Sequence, residues 1–148
     1  MAPEKVIGMD QKFIEIFTGF SDNYGQADMQ RLEIDPVSKK QKPEYRWVQR
    51  KITDQAYLDH LKGTVSIGIQ PCNEKNKARF GAIDIDPNEY QELDRKFYLD
   101  KIKEYDLPLI PILSKSGGLH LYIFTKDFIA ATIIRSFLTN LIPIFNLK

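Results

Sequence analysis

The sequence predicts an α+β fold in which helices pack on a mixed β-sheet. Three observations predict it. Apolar residues recur at every second position over 45–52, 64–70, the stretch entered at Arg79, and 119–124, which is strand spacing. They recur at helical spacing over 10–18, 53–62, 87–105 and 127–141. Strand stretches follow one another directly in two places, and a helix separates two others, so both hairpins and a right-handed crossover are available.

The elements follow in order. Asp10 is placed to cap a helix to Thr18, with Phe13, Ile16, Phe17 and Phe20 on its buried side. Gly19 to Gly25 is a turn-rich break, and Ile34 to Pro43 a polar loop. In the strand Tyr45 to Ile52, Tyr45, Trp47 and Gln49 face one way and Arg46, Val48 and Arg50 the other. Thr53 caps a helix through Lys62 that Gly63 ends. His60 lies near that end, where a histidine meets the helix dipole. A strand over Thr64 to Gln70 and a polar loop over Pro71 to Ala78 lead into the strand that carries Ile83, Asp84, Ile85 and Asp86. Pro87 or Asn88 opens an amphipathic helix to Tyr105, with Tyr90, Leu93 and Phe97 on its apolar stripe. Leu109 to Leu113 and Leu119 to Phe124 form a hairpin around Gly117-Gly118. Asp127 opens a last helix to about Leu141, and the tail Ile142-Pro143-Ile144-Phe145 is apolar.

At 148 residues the chain is long enough for one domain with a real core. A net charge of +1 excludes a global basic field, so any nucleic-acid surface is local. The single cysteine, Cys72, excludes an internal disulfide and a multi-cysteine zinc site, and fits a reducing cytoplasm. No apolar run is long enough for a membrane span, so no membrane partner is expected, and the N-terminus lacks the pattern of a signal peptide.

Two constellations carry chemistry. On a strand, Ala82, Asp84 and Asp86 share one face, their Cα atoms about 6.6–6.8 Å apart at each step of two. Two carboxylates there suit a hard divalent cation, Mg²⁺ or Mn²⁺. Asp86 alone also reads as a helix cap, a role unavailable to Asp84 between its isoleucines. The second is Lys115-Ser116-Gly117-Gly118-Leu119-His120. Its glycines permit a tight turn whose amides form an anion nest, and Ser116, His120 and Lys115 add a hydroxyl, an imidazole and a charge for phosphate oxygens. An ordinary hairpin turn with a satisfied histidine is the bland alternative. A weaker, third feature is the basic and aromatic run that includes Arg46, Trp47, Arg50 and Lys51. It reads equally as a nucleic-acid contact and as an edge strand protected by its charges.

The pairing of I-D-I-D with S-K-S-G-G-L-H-L-Y-I-F resembles the archaeo-eukaryotic primase superfamily, over roughly Phe13 to Leu141. That family has two acids on a strand and then Ser and His around a glycine-rich turn. The polymerase domains of bacterial end-joining ligases look alike in the same places. The likeness is closer to primase domains of the TOTE conflict-system and phage type, where His60 to Pro71 also has a counterpart. The resemblance implies a primase-polymerase catalytic core that joins a nucleoside triphosphate to a 3′-hydroxyl on a template of DNA or RNA, in replication, repair or mobile-element functions. It implies metal on Asp84 and Asp86, phosphate contacts from Ser116, Gly117, Gly118, His120, Lys115 and Arg79, and a catalytic part for Asp84, Asp86 and His120. A helicase or further domains of the same protein are the implied partners, and the host cytoplasm the implied location.

The family's third acid, on a later strand, has no counterpart, since no acidic residue follows Asp127. The expectation is therefore a catalytic core incomplete at its C-terminal side, poor at primer extension by itself. Two other classes stay open: a nucleotide- or nucleic-acid-binding module without catalysis, and a nucleotide-sugar transferase using D-x-D. The Ser/Gly/Gly/His hairpin argues against the latter.

Overall fold

The computed structural model describes residues 8–37, 41–87, 93–114 and 117–147. They form two compact units, divided in sequence between Lys75 and Asn76.

The first unit contains α1 (Met9–Ile16), β1 (Tyr24–Ile34), β2 (Gln41–Val48), α2 (Asp54–Leu61) and β3 (Val65–Gly68), with its strands in the order β2-β1-β3. Both pairings are antiparallel. Gly8, with extended backbone, precedes α1, so Asp10 sits inside the first turn rather than at the cap. There its charge still favours the helix N-terminus. Thr53 caps α2 as its position predicts, its hydroxyl oxygen accepting from the Ala56 N–H, and Gly63 leaves the helix at φ +77°. Phe13 packs on Phe17, Tyr57 and His60, so the α1 aromatics fill the space between the two helices. His60 Nδ1 lies 3.3 Å from the Val65 carbonyl, tying the end of α2 to the start of β3.

Tyr57 is buried and its hydroxyl donates to the Phe17 carbonyl at 3.1 Å. Tyr57→Phe is expected to cost about 1 kcal/mol, read from urea unfolding. Burial, and then the charge of Asp54, pushes the Tyr57 phenol above its ordinary value. The unfolded chain therefore ionises first. The stability that the neutral phenol contributes is complete below the ordinary tyrosine range and is lost as pH rises through the raised value. The gap between wild type and Tyr57→Phe should narrow there.

The second unit contains β4 (Lys77–Ile85), α3 (Arg95–Glu104), β5 (Ile110–Leu113), β6 (Leu119–Ala130) and α4 (Ala131–Leu141), with the order β4-β6-β5. Ile83, Ile85 and Leu121 lie on the inner face with Tyr98 of α3 and Leu138 of α4. Gly81 lets α4 approach: a Cβ there would lie 2.7 Å from Ile134 Cγ2 and 3.1 Å from Leu138 Cδ1. The apolar tail is part of this core, because Phe145 is fully buried against Tyr98, ring centroids 5.7 Å apart.

The architecture is α+β, as the sequence predicts. The expected mixed sheet is instead, among the described residues, two antiparallel three-stranded sheets. The reason lies in β6. It pairs antiparallel with both β4 and β5, so those two run parallel but never touch. The crossover through α3 is thus split by a strand.

Four boundaries also differ. β1 occupies Tyr24–Ile34, where the sequence shows no clear alternation, and β2 starts at Gln41. The far half of that ribbon is exposed on both faces, which removes the apolar pattern that betrays a strand. Pro43 is accommodated because β2 is an edge strand. β6 continues to Ala130, so Asp127 does not open a helix; Ala78 pairs with Ile129 and Lys77 with Ala130 beyond a bulge in β4. α3 is capped by Asp94, whose carboxylate accepts from the Lys96 and Phe97 N–H groups, and not by Asp86. The expected first turn at Asn88 and the stripe residue Tyr90 lie outside the described residues.

Candidate active site

The period of β4 sets the site. Ile83 and Ile85 are drawn into the core, so Asp84 between them is turned to the opposite face, its side chain 73% exposed. Asp84 is directly opposite His120 in the neighbouring strand, and His120 Nε2 lies 3.2 Å from Asp84 Oδ1. Ile112 flanks His120 on its other side. The two sequence constellations therefore meet by strand register.

The same face continues along β6. The His120 and Tyr122 rings meet edge to face at 5.9 Å, and Tyr122 stacks on Phe124 at 5.6 Å. Burial, and then the Asp84 charge, pushes the Tyr122 phenol above its ordinary value, so it is a neutral donor at neutral pH. This aromatic row backs the Asp84–His120 pair with a partly dry wall.

The glycine turn closes the same end of the sheet. Gly117 adopts φ +90°, a conformation costly for any residue with a Cβ. Its N–H donates to the Ser114 carbonyl at 3.1 Å, and the Ser114 N–H donates to the Gly118 carbonyl at 3.0 Å. Gly118 is buried so tightly that a Cβ would run into the Ile85 carbonyl oxygen and lie 2.9 Å from Pro87 Cδ. Ile85 and Pro87 are the sequence neighbours of Asp86, so Asp86, half-buried just past the end of β4, lies beside the turn. Lys115 and Ser116 lie outside the described residues.

Two residues that sequence reasoning missed belong here. Arg95, at the start of α3, donates from Nη2 to the Gly117 carbonyl at 2.9 Å. It holds the turn and brings a guanidinium to it, and no local pattern marks it among the charged residues of its helix. Tyr122 was findable, since alternation alone puts it on the face of His120.

Arg79 is not brought to this end. It is five residues from Asp84 along β4, roughly 17 Å at ~3.3–3.4 Å per residue. Its Nη2 donates to the Lys126 carbonyl at 2.5 Å and its guanidinium lies over the Phe128 ring. Arg46, Trp47, Arg50 and Lys51 belong to the first unit and are exposed. Arg46 donates to Gln26 Oε1 at 3.4 Å, a long and weak contact.

Oxygen donors from Asp84 and Asp86 fit a hard divalent cation in kind, and the exposure of Asp84 leaves room for its waters. Among the described residues no group of three or more His, Cys, Asp or Glu side chains is gathered in a metal-binding arrangement. Also among them, no helix is long and apolar enough to cross a membrane.

Comparison with known families gives one assignment. The profile described as "TOTE conflict system, Archaeo-Eukaryotic Primase domain" matches residues 13–146. A comparison with curated proteins returned no match. The match spans both compact units and includes the Asp84–His120 pair and the glycine turn, so the chain belongs to the archaeo-eukaryotic primase family, in its TOTE conflict-system form.

Proposed function

We propose that this primase-family domain performs templated nucleotidyl transfer, joining a nucleoside triphosphate to a 3′-hydroxyl with release of pyrophosphate. The observation that carries the reading is the Asp84–His120 contact across paired strands, at the end of the sheet that the glycine turn closes. Asp84 and Asp86 would hold Mg²⁺ or Mn²⁺. Such a cation offsets phosphate charge and favours in-line displacement.

The chain's own groups do the rest. His120 holds Asp84 from one side in the ligand-free protein and, when protonated, can donate to a phosphate oxygen. Arg95 offers its remaining N–H donors to the same anion. Lys115 and Ser116, which stand between Ser114 and Gly117 in the sequence, are assigned to the triphosphate by their chemistry. Tyr122 excludes water on one side of the imidazole.

A second reading is favoured by the absence of a three-ligand cluster among the described residues. On it, the chain binds nucleotide without transferring it. A joint experiment separates the two. Manganese with a nucleoside triphosphate should raise the melting temperature, because a ligand that binds only the native state stabilises it. Incorporation of labelled nucleotide on a primed template should accompany the shift. A shift without incorporation leaves the binding module, and neither a shift nor incorporation removes both readings. His120→Ala should weaken triphosphate binding while changing ligand-free stability by less than about 1 kcal/mol, because the half-buried imidazole's polar contact is to a largely exposed carboxylate. A loss of about 1–3 kcal/mol with normal triphosphate affinity would instead make His120 structural.

A further inference from the structure

The first unit carries a surface that the transfer site does not use. Across the β1–β2 ladder, Leu32 is paired with Pro43 and Ile34 with Gln41. Directly paired residues share a face, and a strand alternates its faces, so Gln41, Pro43, Tyr45 and Trp47 lie on one side with Leu32 and Ile34. The other side carries Glu33 paired with Lys42, then Glu44 and Arg46. One face of the ribbon is thus uncharged and mostly apolar over about 20 Å, and the other is charged with both signs. The sorting shows only when the two strands are read together.

The apolar face lacks cover among the described residues. Leu32, Ile34, Tyr45 and Trp47 are 48%, 67%, 71% and 59% exposed. β3 pairs only with Gly25 to Asp28, so beyond that point the ribbon is two strands wide among the described residues. A two-stranded ribbon is marginal in water by itself and gains from a second layer on its apolar face.

The same face has a projection and a hollow side by side. Trp47 is paired with Gly25, and Gly25 with Gly68, so the indole stands beside two residues of bare backbone. The glycines, Tyr45, Trp47, Ile69 and Gln70 border a concavity of about 400 Å³.

These features select the occupant. A nucleic acid or an anionic lipid surface calls for cations on the contacting face. Arg46 is turned to the opposite one, its Nη2 donating to Gln26 Oε1. A projection next to a hollow is self-complementary about a two-fold axis, because each copy's projection then meets the other's hollow. The exposed side chains, led by the two aromatics, offer on the order of 600 Å² per copy, and two copies bury about 1,200 Å², where specific interfaces begin.

We propose that this face joins two copies of the chain in a two-fold dimer, sheet against sheet, with the Trp47 indole of each copy entering the hollow over Gly25 and Gly68 of the other. The proposal rests on first-unit residues alone and does not depend on the transfer reading.

Sedimentation velocity on the whole chain, from nanomolar to high micromolar concentration, should show a monomer giving way to a dimer. Trp47 is the only tryptophan, so its emission should move to the blue over the same range as the indole leaves water. Trp47→Ala should raise the dimer Kd at least tenfold, as for a central aromatic anchor. Gly68→Val fills the hollow, and a Cβ there meets nothing nearer than 3.9 Å, so the strand has room for it. Ile34→Lys places a charge on the apolar face. Each of these should also weaken the dimer at least tenfold. All three positions are exposed, so at concentrations where the wild type is monomeric the melting temperatures should match. A chain that stays monomeric throughout, with unshifted emission, overturns the proposal. So does a dimer that all three substitutions leave intact, which would use another surface. An emission change on adding phosphatidylcholine vesicles or single-stranded DNA, with no dimer at any concentration, overturns it in favour of a lipid or nucleic-acid occupant.

Discussion

Asp84→Ala is expected to reduce nucleotidyl transfer by about 1,000-fold or more, which corresponds to roughly 4 kcal/mol of transition-state stabilisation. On the proposed reading the carboxylate is one of two that hold the cation, so its loss removes the metal-dependent part of triphosphate binding together with the chemistry. The ligand-free protein should barely notice. The Asp84 side chain is 73% exposed, and among the described residues its ion-pair partner is His120 Nε2 at 3.2 Å. Exposed pairs of this kind contribute ~0–1 kcal/mol. Measuring incorporation and thermal melting on the same preparation checks both halves. Transfer that survives the substitution takes Asp84 out of the site, and a large melting loss without ligand makes it structural.

Leu121→Ala should have the opposite signature. Leu121 is fully buried in the central strand, paired with Ile83 on one side and Pro111 on the other. Truncation leaves a void that neighbours on two strands and α4 can only partly fill. The expected cost is about 2–5 kcal/mol. Chemical unfolding should show it as a lower midpoint at nearly constant slope. His120, one residue earlier, faces the other way, and its truncation should cost far less. If the two variants were equally destabilised, the register of β4 and β6 would be wrong.

The parts of the fold that were legible in the sequence are those with a one-sided environment. The β4 stretch and the first half of β6 each have one wet face and one dry face, and their alternation is plain in Ile83-Asp84-Ile85 and Leu119-His120-Leu121. α2 announced itself by Thr53 and Gly63. β1 was illegible because residues 30–34 are exposed on both faces, so no hydrophobic pattern is demanded of them. The far end of β6 was read as helix because Asp127 resembles a cap; its pairing with the start of β4, past a bulge, is a tertiary decision.

The candidate site divides in the same way. That Asp84 and His120 belong together was readable from motif order, but the contact between them depends on strand pairing. Arg95 and Arg79 show the limit of charge and proximity in sequence. Arg79 precedes Asp84 on the same strand, yet its guanidinium engages Lys126 and Phe128. Arg95 is on a separate helix and reaches the glycine turn.

The cross-strand pairing of Asp84 with His120 has a consequence for how this chain tolerates change in length. Nothing in their spacing is measured along the covalent path through α3 and β5; it is measured across one step of the β4–β6 ladder. Residues added or removed before α3 would leave the carboxylate and the imidazole where they are. One residue inserted into β4 between Ile83 and Asp84 would rotate everything beyond it by half a pleat and point the carboxylate into the core. The connection is elastic in evolution and the ladder is not, so diverged relatives are expected to differ in length between the two motifs and to keep the parity within each.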